Sequence, residues 1–387
     1  MNPESQLLVY TVKDVVYGGY KHAIANILSS QILDWRYLEN LLIYHEMETF
    51  FYSVVRNEEN LLPKQFYAFL KTAYYQKMLY HMLLNREISE IIATAHHWDI
   101  TLIPIKGFSY PENYYKRYSF RPTQDIDLLA QKNQLEEGIR LLESRGYHKN
   151  FPGKENYWRE HQCHLAFKKD IGDSCAIVEL HWSIDIERGK KEILPLLWQR
   201  LKQGCLGGKI IPVLSPEDNL FCLAFHQRRF GKMLSLKYVC DTGLILEHER
   251  LDWDYILKIA CQQDCRASLF FLLAHTQLIL GKNLNDILIR LQIRTWQKTA
   301  ISKLIASYGL RNPADFNITY LYVICHILIY DNIFYPLYYI LNIPEEQFAK
   351  FYSLPLYSES TRRRYKLRSL YIPFKLAQKI INTFLLR

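Results

Sequence analysis

Apolar positions in the first hundred residues recur at helical spacing. From Asp34, the set Tyr37, Leu38, Leu41, Leu42 and His45 falls on one face, with Asp34 placed as an N-cap. After Pro63 a longer run from Gln65 to about His97 carries Leu70, Tyr74, Met78, His81 and Met82 as a stripe. A stripe of this kind predicts core packing, so His81, His96 and His97 are read as packing or surface residues rather than ligands. At Trp98 the period changes. The stretch through Ile105 is apolar, rich in β-branched residues and nearly continuous, which predicts a strand ended by Lys106-Gly107.

Alternation then takes over. In Asp125-Ile126-Asp127-Leu128 the two carboxylates share one strand face while Ile126 and Leu128 point to the other. Asn133-Gln-Leu-Glu136 has the form of a capping box, Leu135, Ile139 and Leu142 line a helical face, and Gly146 stands where a C-terminal cap belongs. Strand, helix and a further strand near Tyr147 predict a βαβ-like unit. Strands are also expected at His164–Phe167 and Ala176–Ser183, joined by a turn at Gly172-Asp173. From Ser215-Pro216 the pattern is helical again, with Ser215 as cap and Pro216 in the first turn. Four helices follow, around Phe221–His226, Leu236–Leu246, Leu251–Leu257 and Ser268–Leu280. The organisation expected is an N-terminal helical region over 1–100, an α/β core over 101–214, a helical bundle over 215–345 and basic amphipathic helices over 346–387.

Composition changes this picture in three places. The net charge of +9 is concentrated at the C-terminus: from residue 350 on, nine cations including Arg362, Arg363, Arg364, Lys366 and Arg368 face a single carboxylate, Glu359. Any anionic partner is therefore sought at 350–387, where Leu367 to Leu386 is amphipathic, and not across the whole surface, although such a helix more often caps its own domain. The eight cysteines show no CxxC pair, which predicts reduced, buried thiols and a cytoplasmic location. Cys261 and Cys265, at i and i+4, are read as core. The most apolar stretch, Ile318 to Ile343, is interrupted by His326, Asp331, Asn332 and Pro336. A membrane-crossing helix needs about 20 nearly unbroken apolar residues, so a buried helical pair is expected there. The first residues lack a basic stretch followed by an apolar run, so no secretory signal is expected there.

Candidate chemistry centres on the carboxylates. Asp125 and Asp127 on one face repel each other unless a cation lies between them. Glu179, offset from Val178 and Leu180 on a second strand, adds a third acid to a sheet face, with His181 beside it. Three such acids suit two divalent cations and a nucleoside triphosphate. Lys106, Lys116, Arg117 and Arg121 lie from the Lys-Gly turn to Asp125, a segment able to hold a phosphate chain, although Lys116 and Arg117 are read rather as decorating an exposed helix. His161, Cys163 and His164 lack a fourth ligand at a standard spacing, which reads against zinc.

Taken in order, Ile105-Lys-Gly107, Arg121, Asp125-Ile-Asp-Leu-Leu129, Gly146-Tyr147, Val178-Glu-Leu-His-Trp182, His226, Asp241 and Leu251-Asp-Trp253 resemble the bacterial nucleotidyltransferase-like family labelled uncharacterised nucleotidyltransferases, of the DNA polymerase β-type superfamily. The resemblance runs from about residue 30 to 290. It implies an α+β fold, a polymerase-β-like mixed sheet with N-terminal helices and a C-terminal helical bundle. It also implies transfer of a nucleoside monophosphate from an NTP such as ATP, with release of pyrophosphate. By motif, Asp125 and Asp127 would bind two Mg²⁺ ions, with Mn²⁺ as substitute. Glu179 would complete the metal site and act as base. Lys106, Gly107, Arg121 and His181 would contact the nucleotide, Arg121 being equally read as only neutralising the acid cluster, with Asp241 and His226 weaker candidates. The Lys106-Gly107 turn departs from the superfamily's Gly-Gly or Gly-Ser turn, a charge replacing backbone contacts. The acceptor would be a small molecule, a peptide or protein side chain, or an RNA end. A non-catalytic nucleotide- or peptide-binding partner in a biosynthetic or toxin-antitoxin system is the alternative.

Overall fold

The computed structural model describes residues 1–109, 114–115, 121–151, 154–186, 196–229, 234–311, 327–332, 334–335, 341, 343, 345–356 and 358–385. Lys116, Arg117 and most of the apolar stretch 318–343 lie outside these residues.

Five helices open the chain: α1 (Pro3–Val16), α2 (Lys21–Ser30), α3 (Trp35–His45), α4 (Glu48–Val55) and α5 (Lys64–His97). Asp34 caps α3 as expected, its carboxylate accepting from the Tyr37 N–H at 2.9 Å. α5 covers the long predicted run; Leu70, Tyr74 and His81 of its stripe are buried, while Met82 faces solvent.

β1 (Leu102–Pro104) is shorter than the β-branched run suggests. Trp98 terminates α5, and Asp99 turns the chain with φ at 57°. β2 (Ile126–Ala130), α6 (Leu135–Ser144), β3 (His148–Lys149), α7 (Glu155–His161), β4 (His164–Ile171) and β5 (Ser174–His181) follow. The expected capping box at Asn133 does not form. Asn133 lies inside a 3-10 turn, and Gln134 is drawn instead to the Thr101 N–H and Asp99 carbonyl, each at 3.1 Å, which ties the entry of β1 to α6. Gly146, at φ 83°, ends α6 as predicted.

The sheet order is β1-β2-β5-β4-β3. β2 and β5 run parallel with Asp127 opposite Glu179, and the remaining neighbours are antiparallel, which makes the sheet mixed. A second hairpin, β6 (Lys202–Leu206) and β7 (Lys209–Val213), is not among the predicted elements. Its signal is Gly207-Gly208, both left-handed at φ 58° and 75°.

α8 (Pro216–Arg229), α9 (Leu236–His248), α10 (Trp253–Gln262) and α11 (Arg266–Leu280) are the four expected helices, and Ser215 caps the first by accepting from the Asp218 N–H at 3.2 Å. Cys261 and Cys265 fall on different elements, the first exposed in α10 and the second buried ahead of α11. α12 (Asn285–Arg290) and α13 (Thr295–Tyr308) complete the bundle. Beyond it lie α14 (Glu345–Phe351), α15 (Glu359–Lys366) and α16 (Arg368–Leu385). Leu367, Leu370 and Phe374 are exposed there, whereas Ile372 is buried. No described helix is long and apolar enough to cross a membrane.

Two apolar cores lie on opposite faces of the sheet. Ile126, Leu128, Val178, Leu180 and Phe167 pack against α6 and the second half of α5, through Leu84, Ile88 and Ile91. Ile103 and Leu129 point to the other face, into a larger core built jointly by α1–α4, the first half of α5 and α8–α13. Strand alternation thus delivers Asp127 and Glu179 to the bundle-facing side of the sheet.

Candidate active site

The site forms where the apolar cover of that sheet face ends. A cavity of about 350 Å³ is lined by Glu46, Lys106, Gly107, Arg121, Thr123, Gln124, Asp125, Asp127, Glu179, Leu223, His226, Lys237 and Tyr238. Its carboxylate wall is anchored from behind. Tyr80 of α5 donates to the carbonyls of Gln124 at 3.1 Å and Cys175 at 3.0 Å, holding the entry of β2 beside β5.

Asp127 is 5% exposed, and its Oδ1 accepts from Lys106 Nζ at 2.7 Å and faces His181 Nε2 at 2.9 Å. Burial alone would raise its pKa, but the Lys106 ammonium and the His181 bond outweigh burial and hold it below the usual carboxylate value. Glu179 behaves alike: burial is overcome by His181, at 3.3 Å, and by the charge of His164, so its carboxyl lies well below its usual range. At Asp125 the Lys106 and Lys237 charges do not offset burial. Burial, with the charges of Asp127 and Glu179, lifts it to about 7.

Lys106 reaches Asp127 from a left-handed backbone, φ 54°, which costs an L-residue about 1 kcal/mol. The positive φ therefore belongs to Lys106 and not to the adjacent glycine. Gly107 is required for space: a Cβ there would meet Thr123 Oγ1 at 2.5 Å and its Cβ at 2.9 Å. Arg121 is held by a bidentate pair with Asp241, Nε to Oδ1 at 2.7 Å and Nη2 to Oδ2 at 2.6 Å, and Tyr115 donates to the same Oδ1 at 2.6 Å.

Two expectations change in role. Asp241 is fully buried behind Arg121 with both oxygens engaged, so it orients the guanidinium and does not line the cavity. His181 is also fully buried, beside Asp127 and Glu179, and is not among the residues that line the cavity. Asp125, Asp127, Glu179, Lys106, Gly107, Arg121 and His226 all line one cavity. Lys237 escaped the sequence reading. It stands one turn before Asp241 on α9, an i, i+4 spacing that signals a shared face. Its ammonium pairs with Glu46 at 3.0 Å, and burial lowers its pKa.

The donor set can bind hard cations through three carboxylates, and it presents Lys106, Arg121 and Lys237 to an anion in the same cavity. The sequence model of a family described as uncharacterised nucleotidyltransferase matches residues 32–281, most of the chain and the whole of this site. No curated protein and no solved structure matches the chain.

Proposed function

The chain belongs to the uncharacterised nucleotidyltransferase family, and from that premise we propose that it moves a nucleoside monophosphate from an NTP to an acceptor nucleophile with Mg²⁺. The observation that carries this reading is one cavity shared by Asp125, Asp127 and Glu179 with Lys106, Arg121 and Lys237. The donor set fits magnesium. Its oxygens are hard, and the rise of Asp125 to about 7 records a desolvated carboxyl beside two anions, a repulsion that divalent charge relieves. Asp125, Asp127 and Glu179 would hold two Mg²⁺, or Mn²⁺, whose charge stabilises the attacking and leaving oxygens.

The remaining work falls to the chain's own groups. Lys106 and Lys237, with Arg121 held by Asp241, bind the triphosphate, and Gly107 keeps the turn close to it. His181 fixes Asp127, and Glu179 takes the proton of the acceptor hydroxyl. The acceptor oxygen bonds to the α-phosphorus, and the bond from that phosphorus to the oxygen bridging to the β-phosphate breaks. Pyrophosphate departs with that electron pair. The acceptor is a small molecule, a peptide or protein side chain, or an RNA end.

Incubation with each α-labelled NTP, Mg²⁺ or Mn²⁺ and candidate acceptors tests the reading. Asp127→Ala is expected to reduce transfer by at least about 10²-fold. Absence of transfer together with absence of Mg²⁺-dependent NTP binding refutes it. A second reading, nucleotide or peptide binding without catalysis, is favoured by the Lys106 ammonium 2.7 Å from Asp127, which with His181 offsets that carboxylate's charge without a metal ion. It requires nucleotide binding that is indifferent to Mg²⁺.

A further inference from the structure

Behind the carboxylate wall, three soft or borderline donors converge. One donor atom each from Cys163, His164 and His181 lies within 4.8 Å of the others. The sheet assembles them. His164 and His181 are register partners across β4 and β5, and the Trp182 N–H bonds the Cys163 carbonyl at 3.0 Å, which brings residue 163 back beside residue 181. Cys163 and His181 are fully buried, and His164 is 9% exposed.

The distances suit a thiophilic ion. Cys163 Sγ is 3.9 Å from His164 Nδ1. Sulfur and nitrogen ligands of tetrahedral zinc, at about 2.3 Å and 2.0 Å from the metal, lie roughly 3.6 Å apart. The pair needs to close by only a few tenths of an ångström. His181 Nδ1 finds no oxygen or nitrogen hydrogen-bond partner among the described residues, and in this fully buried ring the group that engages it is the Cys163 thiol.

The outer nitrogens are equally telling. His181 Nε2 lies 2.9 Å from Asp127 Oδ1 and 3.3 Å from Glu179 Oε2, and His164 Nε2 lies 3.6 Å from Glu179 Oε1. An imidazole that binds a metal through one nitrogen normally presents the other N–H to a carboxylate, which fixes the tautomer and the ring orientation. Both histidines are set in this way, with Nδ1 toward the thiol side and Nε2 toward a carboxylate of the cavity.

We propose that Cys163, His164 and His181 bind a divalent cation of the zinc class through Sγ and two Nδ1 atoms, an ion that braces Asp127 and Glu179 from behind. Three protein ligands leave the fourth position to water. Binding releases to solvent the thiol proton of Cys163 and the Nδ1 protons of His181 and of charged His164, while the Nε2–H of each ring stays on its carboxylate. This ion is distinct from Mg²⁺ in the cavity, because a thiolate disfavours magnesium and favours zinc or cobalt. The inference does not rest on nucleotidyl transfer.

The test uses the full-length chain, stripped with a chelator and titrated with Co²⁺. Binding of about one ion per chain is expected, with a thiolate-to-cobalt charge-transfer band in the near ultraviolet, reversed by Zn²⁺ and unaffected by excess Mg²⁺. Cys163→Ser should lose the band, and Cys222→Ser, a buried thiol in α8, should keep it. Folded wild-type protein that takes up Co²⁺ without a thiolate band overturns the proposal, since the ion then sits on Asp127, Glu179 and His181 alone. Persistence of the band in Cys163→Ser overturns it too. The wild-type spectrum decides the matter even if the serine variant fails to fold, and it is read without turnover.

Discussion

Arg121 shows how a single residue acquires its role from what stands behind it. Its Nε and Nη2 are spent on Asp241, so the guanidinium faces the cavity in one orientation with its remaining edge. Breaking a buried pair leaves a charge without compensation, which typically costs 3–5 kcal/mol, about the upper range for one substitution. Asp241→Ala is therefore expected to destabilise the fold by about 3 kcal/mol in urea unfolding. Arg121→Lys retains the charge but loses the fork. It should weaken NTP binding about tenfold with a smaller loss of stability, a change of about 1.4 kcal/mol in binding. Equal NTP affinity in Arg121→Lys and wild type would remove Arg121 from the binding surface. Alternation along two strands made Asp127 and Glu179 legible as partners before their register was known. Nothing local marked Asp241 as a support and not a ligand, because its two bonds span 120 residues.

At the scale of elements, the turn after β1 carries the tightest geometric demand. Lys106 takes the left-handed conformation, and Gly107 takes the close approach to Thr123. A methyl group added by Gly107→Ala meets Thr123 Oγ1 at 2.5 Å, so the turn and the entry of β2 must separate. The expected result is a stability loss of about 1–3 kcal/mol and a raised KM for NTP. Thr123→Gly in the same chain removes every contacting atom and should restore most of both. Failure of that rescue would place the cost in the turn's backbone rather than in the contact. The capping box at Asn133 shows the opposite relation between pattern and element. Its residues have the right identities, yet Gln134 finds a better use bonding Thr101 and Asp99, and the helix starts later without a side-chain cap. A cap competes with tertiary bonds that the local sequence does not announce.

Across the whole molecule, α5 joins the two cores, its first half in the bundle and its second half under the sheet. Three buried histidines give the fold a pH signature. Burial lowers His45 to about 3, and His81 and His275 to about 4, all from 6.5. Between about pH 4.5 and 6.5 the unfolded chain protonates these three while the fold gains a proton at Asp125, held at about 7, so stability rises with pH in that window. His181 has the opposite sign. Despite burial, Asp127, Cys163 and Glu179 raise it to about 10, so in metal-free protein its stabilisation is full below 6.5 and is lost as pH climbs toward 10. Urea midpoints measured from pH 4.5 to 10 should pass through a maximum near 6.5 to 7. A midpoint that keeps rising above pH 7 would contradict the His181 assignment. The sequence by itself determined the helical runs, the strand alternation and the three acids, because period and side-chain type are local properties. Only the tertiary structure decided that α1–α4 share a core with α8–α13, that Asp241 supports Arg121, and that His181 completes a trio with Cys163 and His164. Those depend on strand register and on which helix faces meet, which spacing along one chain does not encode.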